Sequence, residues 1–152
     1  RLIMERILPI TEPKTFDCYH DSLTHHYAAP VFYDALEREL SFAKREGNQV
    51  AIVKFELVED ANEDQLLFFA NELELAVRQH DLIARIGSRE FAVLIRLDVE
   101  IESAFKALVS RLQNFERREF KVGYVSSDGT KGLVQVLEEL DNPQILHSSK
   151  ML

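Results

Sequence analysis

RQHDLIARIGSREF, residues 78–91, decides how the rest of the chain is read. It joins a charge pair, Arg78 and Asp81, to an apolar run at 82–86, a polar tip, and a second apolar run at 91–97. Two strand-like runs separated by Gly87-Ser88-Arg89-Glu90 predict a β-hairpin with a four-residue connection. An element order that places this hairpin between two helices then fixes the class of fold.

Working outward, Asn62 stands three residues before Gln65, the spacing of a capping box, and Leu66, Phe69, Leu73 and Ala76 form the apolar stripe of a helix ending near Gln79. Before it, residues 50–55 (VAIVKF) are apolar and β-branched, as in a central strand. Further back, Phe32, Leu36 and Leu40 recur at helical spacing over 29–45, with Pro30 suited to a first turn and Gly47 to a stop. After the hairpin, Ile101, Phe105, Leu108 and Leu112 predict a helix over 99–113, residues 120–125 a strand, and 133–140 a short helix stopped before Pro143. The tail from Gln144 has no clear pattern. Residues 1–20 read as a linker or peripheral segment from a preceding domain, with Pro9 and Pro13 closing a run that is either linker or edge strand, and 21–152 read as one domain. Helix, strand, helix, strand, strand, helix, strand gives an α+β fold: a mainly antiparallel central sheet flanked by helices, on a ferredoxin-like plan.

Composition narrows the function. The net charge of −8 disfavours binding to nucleic acid polymers or an anionic membrane. Residues 78–96 run against it, with Arg78, Arg85, Arg89 and Arg96 outnumbering Asp81 and Glu90, so if the chain binds an anion, this is the place to look for it. Cys18 is the single cysteine, which excludes an internal disulfide and suits a reducing, cytoplasmic setting. No apolar stretch approaches the roughly 18 residues of a membrane span, so no direct membrane insertion is expected of this chain. His25 and His26 are adjacent and point in different directions, so they do not make a metal site. The chain opens on Arg and reads as a fragment excised from a longer protein.

At the hairpin the sequence resembles the GGDEF domains, diguanylate cyclases that join two GTP molecules into cyclic di-GMP. The tip reads GSREF, residues 87–91. DSLT from Asp21 is like the family's DxLT, and EDQLL from Glu63 is like GDxLL. With Phe32, Leu36 and Leu40, the AIVKF strand and RQHDLIARIGSREF, these features cover roughly residues 21–125 in register. The resemblance implies a GGDEF, nucleotidyl-cyclase-like fold.

It also implies which chemistry is gone. The cyclase reaction needs two divalent cations held by carboxylates. Here the second signature glycine is Ser88 and the acidic third position is Arg89; Glu90 remains, and Glu56 falls close to the family's metal-binding aspartate. The stretch carrying FKxxND is shortened to residues 58–62, and the family's N-R-R is Ala28-Ala29-Pro30. No catalytic residue, resident cofactor or metal is therefore expected.

Arg78 and Asp81 match the family's RxxD inhibitory site, which binds product, with the usual five residues before the signature. The resemblance thus implies a cyclic di-GMP receptor, with His80, Arg85 and Arg89 as possible additional contacts and a protein partner or homodimer as its output. Related receptors act in bacterial signalling, for example in exopolysaccharide and biofilm control, often tethered to the inner membrane. The competing expectation is a nucleotide-free pseudoenzyme module for dimerisation or partner binding, with Arg78 and Asp81 no more than a surface ion pair.

Overall fold

The computed structural model describes residues 19–78, 81–97, 100–115 and 119–151. Its elements, in chain order, are β1 (Tyr27–Ala28), α1 (Ala29–Glu46), β2 (Gln49–Glu56), α2 (Glu63–Ala76), β3 (Leu82–Gly87), β4 (Glu90–Leu97), α3 (Ile101–Phe115), β5 (Lys121–Ser127), α4 (Leu133–Asp141) and β6 (His147–Ser148). Short 3₁₀ turns at Pro143–Ile145 and Ser149–Met151 flank β6. One sheet in the order β1-β3-β4-β2-β5-β6 holds all six strands, and β1–β3 is its parallel pair. This is the expected α+β architecture with a mainly antiparallel sheet.

Alternation along β2 explains the layering. Ala51, Val53 and Phe55 face one side, where they pack with Phe69 and Leu73 of α2 and with Leu108 and Leu112 of α3. Val50 and Ile52 face the other, against Phe32, Leu36 and Leu40 of α1 and Val136 and Leu140 of α4. A strand buried on both faces must be apolar at nearly every position, as the sequence of β2 shows. Lys54, at 6% exposure, is the departure from that pattern.

The helix ends follow local chemistry. Gly47 adopts φ 74°, the left-handed conformation that glycine takes without steric penalty, and its N–H closes on Ala43 O. Asn62 and Gln65 form the expected capping box, Asn62 Oδ1 accepting from Gln65 N at 2.9 Å and Gln65 Oε1 from Asn62 N at 2.8 Å.

Three expectations are corrected. α2 ends at Ala76, not near Gln79, because Val77 turns to extended backbone and the Ala76 carbonyl accepts from Arg111 Nε of α3 at 2.7 Å, satisfying a helix end from outside. The hairpin connection is two residues, Ser88 and Arg89, because a bulge between Arg85 and Gly87 lets Gly87 pair with Glu90. The tail is ordered: Ser149 exchanges hydrogen bonds with Phe120, N to O at 2.8 Å and Phe120 N to Ser149 Oγ at 3.1 Å, and this seats β6 on β5. The proposed linker at 1–20 lies almost wholly outside the described residues, as does Cys18. Its last residue, His20, bridges to Tyr27 and stacks on its ring at 4.9 Å.

Candidate functional site

β3 carries one candidate site at each end. At its start the chain leaves α2 through Val77 and turns back on itself: Asp81 N donates to Arg78 O at 3.1 Å, and Asp81 Oδ2 accepts from Arg78 N at 3.4 Å. The backbone turn, rather than a helix face, is what brings Arg78 and Asp81 together. Arg78 is exposed and Asp81 half-buried. His80 lies outside the described residues.

Arg85, halfway along β3, is separated from Asp81 by about 13 Å of extended strand. Its guanidinium belongs to a different construction. Nη1 donates to both oxygens of Asp21 at 3.2 Å, Nη2 to Ser88 O at 2.8 Å and Nε to Gly87 O at 3.2 Å. Asp21 also accepts from Thr24 N at 2.8 Å and Thr24 Oγ1 at 2.9 Å. Partial burial alone would raise the Asp21 carboxyl pKa, but the Thr24 hydrogen bonds and the Arg85 charge outweigh it and hold the group below the usual carboxylate range. The DSLT turn is thereby clamped to the hairpin. In the same turn His25 takes φ 65°, and the ring of His26 is carried away to α2, Nε2 donating to Ala70 O at 3.0 Å.

The hairpin tip forms the second candidate. Between the exit of β2 at Glu56 to Glu59, Arg89 and the approach to β5 at Glu119 to Lys121 lies a cleft of about 350 Å³. Arg89 Nη1 donates to Leu57 O at 2.5 Å, and Leu57 N donates to Arg89 O at 2.9 Å, so the tip and the loop after β2 hold each other by reciprocal bonds. Lys54 reaches the same end of the sheet from its interior. Its ammonium donates to Leu140 O in the last turn of α4 at 3.0 Å and lies 3.8 Å from Glu90 Oε1. The hydroxyl of Tyr33, from α1, is pushed above its ordinary pKa by burial and by the negative charges of Asp141 and Glu90.

These residues do not fit a divalent cation. Among the described residues no group of three His, Cys, Asp or Glu is arranged to hold one. Glu90 has an ammonium beside it, and Arg89 holds the backbone carbonyl next to Glu56. Sequence reasoning missed Lys54 because it reads as a single polar interruption in an apolar strand. The signal was there, since a lysine flanked by buried apolar residues in a central strand needs a partner.

Comparison with solved structures identifies the architecture. The GGDEF domain of DgcB from Caulobacter crescentus, crystallised with cyclic di-GMP, superposes with a TM-score of 0.72 at 16% identity, over 84% of this chain and 88% of that one. The fold is that of a GGDEF domain. The GGDEF domain of TpbB, or YfiN, from Pseudomonas aeruginosa gives 0.69 at 22% identity, over 80% and 84%. The diguanylate cyclase SiaD of the same organism, crystallised with its activator SiaC, gives 0.70 at 19% identity, over 80% of this chain and 55% of that one. No protein-family model matches the sequence, and a search of curated proteins found no match. On this GGDEF fold, the hairpin tip and the start of β3 stand about 20 Å apart along the strand. The structure thus separates Arg78 and Asp81 from Arg85 and Arg89, which the sequence had grouped. No helix of the described residues is long and apolar enough to cross a membrane.

Proposed function

We propose that this chain is a GGDEF-fold domain that binds cyclic di-GMP through Arg78 and Asp81, does not synthesise it, and passes its occupancy to a partner protein or a second copy. The observation that carries the reading is the turn at the start of β3, whose reciprocal backbone and side-chain bonds set Arg78 beside Asp81 at the surface. The chemistry suits a guanine. A guanidinium donates two parallel hydrogen bonds to O6 and N7, and a carboxylate accepts from the N1–H and N2–H edge. The absence of synthesis is supported by the hairpin end, where Lys54 stands beside Glu90 and Arg89 lines the cleft that Glu56 borders.

Calorimetric titration with cyclic di-GMP tests the proposal. Binding is expected at ligand concentrations of about 50 μM or below, weakened at least about tenfold in Arg78→Ala. Absence of heat, or unchanged affinity in that variant, sinks it. Incubation with GTP and Mg or Mn ions is expected to yield no cyclic di-GMP.

One observation favours a second reading, a nucleotide-free module for protein contacts: Phe68 and Leu75, two turns apart on the outer face of α2, are 48% and 73% exposed. If that reading is right, Phe68→Ser with Leu75→Ser abolishes partner or self-association while cyclic di-GMP gives no heat with any form of the chain.

A further inference from the structure

We propose that Lys54 is the resident cation of the hairpin end: together with Arg89 it supplies the positive charge that a pair of divalent ions supplies in the chemistry the sequence resembles, and it excludes such ions from this chain. The side chain of Lys54 is 8% exposed. An ammonium in that position keeps its charge only with partners that compensate its lost hydration. Two are present. Leu140 O belongs to the last turn of α4, where the unsatisfied carbonyls concentrate the negative end of the helix dipole. Glu90 Oε1, at 3.8 Å, supplies a formal charge. Tyr33 stands in the same surroundings, its hydroxyl pKa raised by burial and by the negative charges of Asp141 and Glu90.

The sheet register sets the carboxylates at this end of the sheet. Glu56 pairs with Glu90 across β2 and β4, which leaves two carboxylates side by side at the strand ends. Like charges directly opposite are destabilising unless a cation lies between or beside them. Lys54, two residues before Glu56 on the same face, compensates from inside the sheet. Arg89, at the tip, lines the same cleft as Glu56 while its Nη1 takes the Leu57 carbonyl. A divalent ion approaching the pair meets the Lys54 ammonium at Glu90 and the Arg89 guanidinium in the cleft beside Glu56, and the Leu57 carbonyl it could use is already bonded. Lys54 also ties the start of β4 to the end of α4, a link between hairpin and helix that needs no metal.

The test is a Mn²⁺ titration of the full chain, followed by paramagnetic broadening of backbone amide signals at residues 87–91, in the wild type, Glu90→Gln, Lys54→Gln and the double variant Lys54→Asp with Arg89→Asp. The wild type is expected to show no site-selective broadening up to about 1 mM Mn²⁺, and the folded double variant a gain in affinity of at least about tenfold over it. Wild-type broadening that disappears in Glu90→Gln overturns the proposal. A folded double variant with no gain overturns it as well, since the two cations would then not be what excludes the ion. Should circular dichroism show the double variant unfolded, Lys54→Gln takes its place under the same criterion. None of these substitutions touches Arg78 or Asp81, so the outcome is independent of the cyclic di-GMP titration.

Discussion

Four acceptors converge on the guanidinium of Arg85: both oxygens of Asp21 and the carbonyls of Gly87 and Ser88. Arginine is suited to this because its donors form a rigid planar fork; lysine would satisfy one or two of them. The pair is partly buried, with side-chain exposures of 17% and 19%, so its bonds are less screened than those of a surface pair. Arg85→Ala is expected to lower unfolding stability by about 1.5–3 kcal/mol, the range for hydrogen bonds to charged groups, as read from urea midpoints. Because the Asp21 carboxyl is held below its ordinary value, its contribution is present above the unfolded pKa of about 3.9 and is lost as pH falls through the lower folded value. Urea midpoints measured from neutral pH down to about pH 3 are expected to fall less steeply in Asp21→Asn than in the wild type. The presence of Asp21 and Arg85 was legible in the sequence, but their partnership was not, since 64 residues separate them and a strand pattern carries no information about which loop its side chains meet.

At the level of elements, β5 shows how a glycine can fix a neighbour. A Cβ placed on Gly123 would lie 2.1 Å from Ile145 O and 2.7 Å from Ile145 C, inside the 3₁₀ turn that follows α4. Gly123→Ala therefore expels that turn and is expected to cost about 1–3 kcal/mol, the range for overpacking a filled site, with enhanced proteolysis after Asn142 as a second readout. α1, β2, the capping box of α2 and both hairpin strands could be read from periodicity and cap chemistry within a few residues. β1 and β6 could not, because two residues show no period and each strand exists through the neighbour it pairs with. The bulge that shortened the hairpin connection has the same origin. Ile86 reads as one more strand residue, and only the pairing of Gly87 with Glu90 makes it the extra one.

Over the whole molecule, one aromatic cluster joins the layers. The Phe69 ring of α2 lies 5.5 Å from Phe55 of β2, 5.4 Å from Phe91 of β4 and 5.6 Å from Phe120, beside β5, centroid to centroid. All four side chains are buried to about 1% exposure or less. Phe69→Ala is expected to destabilise by about 3–5 kcal/mol, a large part of the 5–15 kcal/mol typical of a domain, and calorimetry would show it as a lowered Tm. Phe91 closes the GSREF tip, so the signature hairpin is anchored in the core whether or not its charged residues perform chemistry. This is why the fold was readable where the site was only partly so. Burial leaves a periodic trace along the chain, whereas the roles of Lys54, Arg85 and Arg89 depend on partners brought from distant segments. The two-residue strands β1 and β6 have a further consequence. They blunt both rims of the sheet, β1 covering Ala84 and Arg85 and β6 covering Lys121 and Val122. Among the described residues a foreign chain then finds no long flat border along which to add a strand, which disfavours edge-to-edge aggregation and leaves the helical faces as the broader surfaces for any contact.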